Sequence, residues 1–197
     1  MNVSKSGAAS IVGFAMCLIA LAPAARADDA SWLDQKPLSN WNAQGMDLPP
    51  APPPDSTIDP RFTQRERMPE TAEDEALAAA GWRLYTAYQG GWGIKIVVAT
   101  SSYDGMGRPW GYQAFVFADG TLAGIVSPDL MNSRFDGALT RAQFFGPDNI
   151  VAEFLRYTPT DALCCPSATS TVAYRVDRSD AGPVLVPVSV STQPTTR

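Results

Sequence analysis

The fold is decided by residues 112–127, which read YQAFVFADGTLAGIVS. Two runs of apolar and aromatic residues flank the dipeptide Asp119-Gly120, whose residue types tolerate the positive φ angles of a type I′ turn. An Asp-Gly pair between two such runs is the strongest short-range signal for a β-hairpin. Residues 112–118 and 121–127 are therefore predicted to form two antiparallel strands.

Two further hairpins are predicted downstream, where apolar runs again flank short polar loops. They are residues 140–145 with 150–157 around Gly146-Pro147-Asp148-Asn149, and residues 170–176 with 184–190 around Asp180 and Gly182. Pro187 cannot donate a ladder hydrogen bond, so the last strand is expected at a sheet edge. Successive hairpins with short loops indicate an antiparallel meander.

Upstream, the pattern predicts one helix and two more strands. Residues 71–80 begin with a capping-box pattern at Thr71 and Asp74, and Gly81 can cap the other end. Residues 82–88 alternate loosely, and residues 94–100 are largely β-branched. The sequence thus predicts an α+β domain over residues 71–197, an antiparallel meander sheet of about six to seven strands with one short N-terminal helix.

Residues 28–70 are predicted to be a Pro-rich disordered leader or linker. Residues 48–54 read LPPAPPP, which is typical of extended polyproline II without internal hydrogen bonds. Trp32 and Trp41 stand out in this polar segment. They are interpreted as docking either on the folded domain or on a partner.

Residues 1–27 are predicted to be a secretory signal peptide. Lys5 precedes an uncharged apolar run at residues 8–22, and Ala25-Arg26-Ala27 offers the small-x-small pattern of a signal-peptidase site. Cleavage after Ala27 and a periplasmic or secreted location are expected, with no transmembrane helix in the mature chain. Cys17 follows Met16, which is larger than a lipobox accepts, so Cys17 is interpreted as part of the discarded signal, with a lipid anchor as the alternative.

The composition excludes several classes of function. The chain contains no histidine, which excludes Ser-His-Asp and Cys-His hydrolysis and makes zinc hydrolysis a poor expectation. Its formal net charge is −5, and loss of Lys5 and Arg26 with the signal makes it more negative, so nucleic acid is not an expected partner. No cofactor, metal site or catalytic residue is predicted.

The loops at residues 101–111 and 127–137 are the candidate binding surface. Residues 103–112 read YDGMGRPWGY, and residues 127–137 read SPDLMNSRFDG. The first lacks the lysine of a phosphate loop and the carboxylates of a calcium site. The expected binding residues are Tyr103, Asp104, Arg108, Trp110 and Arg134. Two alternatives stay open, namely that the aromatic residues pack on the sheet edge and that Arg134 pairs internally with Asp129 or Asp136.

Cys164 and Cys165 are the cysteines that remain after processing. Neighbouring Cα atoms lie about 3.8 Å apart, closer than the 4.4–6.8 Å usual for a disulfide. An exported protein nevertheless meets an oxidising compartment. A vicinal disulfide, two free thiols and an intermolecular bridge are the alternatives.

Several short motifs resemble the LppP/LprE-like family of bacterial envelope proteins, over roughly residues 82–190. They are residues 103–106, 110–113 and 115–117, Ala123-Gly124 with Ser127-Pro128, Met131 with Ser133-Arg134, Asp136-Gly137, Phe154 with Arg156-Tyr157, and residues 163–167. The resemblance implies an exported, lipid-anchored type of protein with no established reaction. The chain departs from the family in two places: its lipobox is weak, and Gly107 stands where the family carries cysteine. With Gly107 there, Cys164 or Cys165 has lost the partner that the resemblance implies, which would make the vicinal pair a remnant.

Three functional hypotheses follow. The leading one is a non-enzymatic envelope protein that recognises an unknown envelope protein or a cell-wall glycan through the two loops. The second is a carboxylate-based glycan hydrolase that uses Asp104 and Asp136, since a carboxylate pair needs no histidine. The third is a structural or inhibitory module that docks through the Pro-rich leader.

Overall fold

The computed structural model describes residues 31–54 and 57–195. The predicted signal peptide, its cleavage site after Ala27 and Cys17 lie outside these residues. None of the described helices is long and apolar enough to cross a membrane. A 3-10 turn spans Trp32–Asp34, and two α-helices follow at Pro60–Thr63 (α1) and Ala72–Ala79 (α2).

The described chain contains ten strands. In chain order they are Arg83–Leu84 (β1), Gln89–Gly91 (β2), Ile94–Tyr103 (β3), Pro109–Ala118 (β4), Thr121–Ile125 (β5), Met131–Asn132 (β6), Leu139–Phe144 (β7), Asn149–Arg156 (β8), Ala168–Ser179 (β9) and Gly182–Pro194 (β10).

The strands form two antiparallel sheets, not the single meander that the sequence predicts. The first sheet has the order β1-β3-β4-β5, with β2 also pairing with β3 and β6 also pairing with β4; the second has the order β10-β9-β8-β7. The chain passes between the sheets after β6, where Arg134 and Gly137 have φ angles of 67° and 79°. Left-handed residues turn the backbone sharply. The α+β class is confirmed.

All three hairpins form. Asp119 and Gly120 both have positive φ, 50° and 80°, as a type I′ turn requires. β7 pairs with β8 and β9 pairs with β10. The last hairpin is longer than predicted, because its strands continue to a turn of two residues. Pro187 lies in the edge strand β10, beside a register irregularity, in agreement with its missing N–H.

Helix α2 also forms where the sequence predicts it. The Thr71 hydroxyl accepts a hydrogen bond from the Asp74 N–H at 3.3 Å, and Gly81 follows the helix with φ 89°. Its buried Leu77 packs on the outer face of the first sheet. The next strand is only two residues long, shorter than the predicted residues 82–88.

The first sheet is covered on both faces. Alternate residues of β4 such as Ala114 and Val116 face an inner core shared with the second sheet, while Phe115 and Phe117 belong to an outer core with Leu77. Side chains of a strand alternate between the two faces. Strand β4 is therefore almost continuously apolar, as is typical of a strand buried on both sides.

Residues 31–54 cross both cores, and we refer to them as the strap. Trp32 is 7% exposed and packs in the inner core with Leu33. The Trp32 ring lies 4.9 Å from Trp41 and 5.2 Å from Phe154, centroid to centroid. The composition predicts a disordered leader here, and docking of Trp32 and Trp41 on the domain is one of the two interpretations that the sequence leaves open. The segment is polar and rich in proline and has few apolar side chains, so its composition does not predict this packing.

The strap continues from the inner core to the outer core. Met46 and Leu48 pack against the outer cluster. The Trp82 indole donates to the carbonyl of Pro49 at 2.8 Å, and the Ala51 N–H donates to the carbonyl of Ala80 at 2.8 Å. The strap thus contacts the first sheet, the end of helix α2 and both cores. It belongs to one compact unit that begins at Ser31.

Candidate functional site

The first candidate loop is a tight turn between β3 and β4. The Asp104 carboxylate accepts the backbone N–H groups of Met106 and Arg108, each at 2.9 Å. Its other oxygen lies 2.6 Å from the Arg108 Nε. Burial acts to raise the pKa of Asp104, but the hydrogen bonds from Arg108 and Met106 outweigh it and hold that pKa below its ordinary value. Asp104 and Arg108 therefore bind each other and shape the turn.

Tyr103 packs under the same turn. Its ring lies 6.2 Å from the ring of Phe62 in α1. Burial, together with the nearby Glu66 carboxylate, raises the pKa of the Tyr103 hydroxyl above its ordinary value, so the group keeps its proton. Tyr103 therefore packs on the domain, which is the alternative that the sequence leaves open for the aromatic residues of this loop.

Trp110 and Arg134 lie in a different setting. The Trp110 ring meets the Phe135 ring edge to face at 5.2 Å, and Leu130 and Phe135 remain 47% and 49% exposed. Arg134 is exposed and has no ion pair or side-chain hydrogen bond with any described residue. We call Trp110, Leu130, Arg134 and Phe135 the loop surface.

The expected internal partners of Arg134 are engaged elsewhere or stay apart from it. Asp136 accepts the Arg156 Nε at 2.9 Å and the Tyr157 N–H at 2.8 Å. Arg156 in turn donates to Asp34 of the strap at 2.8 Å. Asp136 therefore helps to fix the strap to β8, and the Arg134 guanidinium is left for solvent or a ligand.

Two adjoining hollows extend the loop surface along the strap. A hollow of about 160 Å³ is lined by Trp110, Leu130, Asn132 and strap prolines. A mainly apolar hollow of about 410 Å³ runs beside residues 49–53, and Trp82 and Leu130 line it as well. Leu130 lies between the two, and we call them together the proline groove. The sequence does not predict this groove, because a proline-rich run such as residues 48–54 is typical of a linker.

The two carboxylates of the hydrolase hypothesis have separate arginine partners. Asp104 binds Arg108, and Asp136 binds Arg156. Burial acts to raise the pKa of Asp104, but its hydrogen bonds from Arg108 and Met106 lower it, whereas a glycosidase acid needs a raised pKa. Within residues 31–54 and 57–195, no cluster of three or more His, Cys, Asp or Glu side chains has the arrangement of a metal site.

Cys164 and Cys165 are joined as a vicinal disulfide on the surface. The loop around them is held by Asp161, whose carboxylate accepts the N–H groups of Thr158 at 2.8 Å and Ser167 at 3.0 Å. The Tyr157 hydroxyl donates to the Leu163 carbonyl at 3.1 Å. The disulfide therefore sits on a loop that other contacts already shape.

Comparison with known proteins supports the family resemblance. Residues 87–179 match the model of the LppP/LprE lipoprotein family, and the suspected resemblance is confirmed. This segment includes strands β2 to β9 and the whole loop surface. No curated protein and no solved structure matches the chain.

Proposed function

We propose that this chain, whose residues 87–179 match the LppP/LprE lipoprotein family model, is an exported envelope protein that binds a partner without catalysing a reaction. The family indicates an association with the cell envelope. The finer proposal is that the chain is cleaved after Ala27 and presents the loop surface to a protein partner in the periplasm or outside the cell.

The observation that carries this proposal is the loop surface itself. Two half-exposed apolar side chains, Leu130 and Phe135, lie beside Trp110, next to an Arg134 that has no partner among the described residues. Aromatic and arginine side chains are enriched among residues that dominate binding energies. An exposed apolar cluster with one available cation fits a partner that brings both apolar and acidic groups.

The proline groove supports an extended peptide as the form of that partner. The groove runs from Trp82 past Leu130 to Trp110, so it is elongated. An extended segment can place apolar side chains in such a groove while an acidic group reaches Arg134. We therefore propose an apolar, acidic segment of another envelope protein as the ligand.

A capture experiment with paired variants tests the proposal. Residues 28–197 are immobilised and exposed to solubilised envelope proteins, and bound partners are quantified by mass spectrometry. We expect a partner whose recovery falls at least ten-fold in Phe135→Ala and in Arg134→Glu. The matched controls are Trp92→Ala, which removes another exposed aromatic ring, and Arg65→Glu, which reverses another exposed charge; both should retain the partner.

The outcomes separate the hypotheses clearly. Equal recovery of every partner by all variants removes the loop surface from the proposal. Purified cell-wall sacculi form a second arm, and retention there that depends on Phe135 and Arg134 would assign a glycan in place of a peptide. N-terminal sequencing of the exported chain tests the predicted signal cleavage, since the mature protein should begin at Asp28.

A further inference from the structure

The two edges of the sandwich are closed to different degrees. At one edge, β5 packs against β10, and the Asn42 side chain bonds to both Ile125 and Leu185. At the opposite edge, residues 85–89 and strand β3 of the first sheet line a cleft together with β7 of the second, and among the described residues no strand pairing joins the two sheets there. The inner core is therefore bridged at one edge and opens to solvent at the other.

A cleft of about 380 Å³ occupies the open edge. We call it the open-edge cleft. Its apolar part includes Val98 and Leu139, and its polar part includes Tyr85, Gln89 and Arg141. The volume falls within the range of about 300–1,000 Å³ that is usual for small-molecule sites. A partly polar rim over an apolar floor is also typical of such sites.

Among the described residues, the one charged side chain that lines the cleft is paired. The Arg141 guanidinium is paired with Glu153. The pKa of the Tyr85 hydroxyl is raised by burial and by the neighbouring Tyr112 and Tyr103, so this group stays protonated and neutral. A charged ligand would lose its hydration here without gaining an opposite charge, and that loss is costly. A neutral ligand avoids this cost.

One tyrosine hydroxyl of the cleft is engaged and the other is available. The Tyr112 hydroxyl donates to the carbonyl of Leu139 at 3.2 Å and so connects the two sheets. The Tyr85 hydroxyl has no hydrogen-bond partner among residues 31–54 and 57–195. It can therefore both donate to and accept from a bound molecule.

We propose that the open-edge cleft binds a neutral amphipathic small molecule, whose apolar body contacts Val98 and Leu139 and whose hydroxyl, amide or amine group hydrogen-bonds to Tyr85. No residue of the loop surface lines this cleft, although Pro109 and Ser133, which do line it, are the chain neighbours of Trp110 and Arg134. Val98 and Tyr112 lie on the inner side of the first sheet, whereas the proline groove follows the outer core. The cleft and the proline groove can therefore be tested independently.

The probe for the test is N-phenyl-1-naphthylamine, a neutral molecule with apolar rings and one N–H group, whose fluorescence rises when it leaves water. We expect saturable binding to the mature chain. Tyr85→Phe should weaken the affinity about five- to ten-fold through loss of one hydrogen bond. Ala87→Trp, which places a large ring at the exposed rim of the cleft, should abolish binding. The anionic analogue 1-anilinonaphthalene-8-sulfonate should bind at least ten-fold more weakly.

Matched controls keep the test specific. Tyr157→Phe removes a hydroxyl from a distant loop, and Ala181→Trp adds a ring at the β9–β10 turn; both should bind the probe like the unaltered chain. Phe135→Ala should also leave probe binding unchanged, which separates this site from the loop surface. Addition of the probe should also change the amide chemical shifts of Val98 and Leu139 in the unaltered chain. This measurement does not depend on the folding of any variant.

Any of four results overturns the proposal. These are no saturable binding by the unaltered chain, unchanged affinity in Ala87→Trp or in Tyr85→Phe, equal affinity for the anionic analogue, or shift changes confined to the proline groove.

Discussion

Asn42 pairs with Ile125 in the way that a neighbouring strand would. Its carboxamide oxygen accepts the Ile125 N–H at 2.8 Å, and its carboxamide nitrogen donates to the Ile125 carbonyl at 3.1 Å. The same nitrogen donates to the carbonyl of Leu185 in the other sheet at 2.9 Å. A Cβ on Gly124 would collide with this carboxamide, so the glycine makes room for it.

Replacement of Asn42 by alanine is expected to destabilise the domain by about 2–3 kcal/mol, because buried backbone groups of β5 and β10 lose their partner. Chemical denaturation of residues 28–197 measures the change. Gln35→Ala is the matched control, since Gln35 is exposed and its side chain makes no hydrogen bond with a described residue; it should change stability by less than about 0.5 kcal/mol. Equal stability of the two variants would contradict the bridging role of Asn42.

Trp32→Ala is expected to cost about 3–5 kcal/mol, as is usual for truncation of a buried tryptophan. The ring packs against Trp41 and Phe154 in the inner core. Trp92→Ala serves as the control because Trp92 is 62% exposed, and its cost should stay near or below about 1 kcal/mol. Thermal and urea unfolding both report the difference. A disordered leader predicts no cost at Trp32.

The buried pair of Arg67 and Asp74 predicts a dependence of stability on pH. Burial acts to raise the pKa of Asp74, but two hydrogen bonds from Arg67, at 2.6 and 2.7 Å, and one from the Glu70 N–H outweigh it, so the pKa is lowered. A carboxyl with a lowered folded-state pKa stabilises the fold above its unfolded value of about 3.9 and loses this contribution as the pH falls through the folded value.

Arg67→Met should therefore cost about 3–5 kcal/mol at pH 7, where it leaves a buried carboxylate unpaired. The cost should shrink near pH 3, because the carboxyl can then take up a proton while the unaltered chain loses its own ion-pair stabilisation. Arg61→Met is the control for an exposed pair with Asp59, and it should cost less than about 1 kcal/mol. A cost at Arg67 that is independent of pH would rule out this electrostatic explanation.

The vicinal disulfide leads to two expectations, one for the mass added by alkylation and one for the stability of a variant without it. Alkylation of the unreduced mature chain should add no alkyl group, and alkylation after reduction should add two. The double variant Cys164→Ser/Cys165→Ser should change stability by less than about 1 kcal/mol, because a crosslink between neighbours restricts the unfolded chain very little. Two alkyl groups on the unreduced protein would show that both cysteines are free thiols.

Local sequence signals predicted the hairpins and the helix well. Asp119-Gly120 fixes a two-residue turn by itself, and Thr71 caps a helix that starts one residue later. The division into two sheets was not predictable in this way. It depends on contacts between β5 and β10, which lie far apart in the sequence, and on the left-handed turn at Arg134, a residue type that rarely adopts such a φ angle.

The candidate site was predicted in part. Trp110 and Arg134 lie together with exposed apolar residues, as a binding surface requires, but their role in binding stays a prediction. Asp104 and Arg108 bind each other across a turn of five residues, and a single sequence gives no sign of whether such charges face inward or outward. Tyr85 was missed because residues 82–88 were interpreted as a regular strand, whereas the strand ends at Leu84 and Tyr85 turns to the cleft.

The strap also joins parts of the chain that are synthesised far apart in time. Asn42 is made early, yet the residue that completes its bonding, Leu185, follows 143 positions later. Contacts across such separations form slowly during folding. The Asn42 carboxamide therefore completes its hydrogen bonds only after β10 has been made, and a chain interrupted ahead of β10 lacks the bond that joins the strap to the second sheet at Leu185.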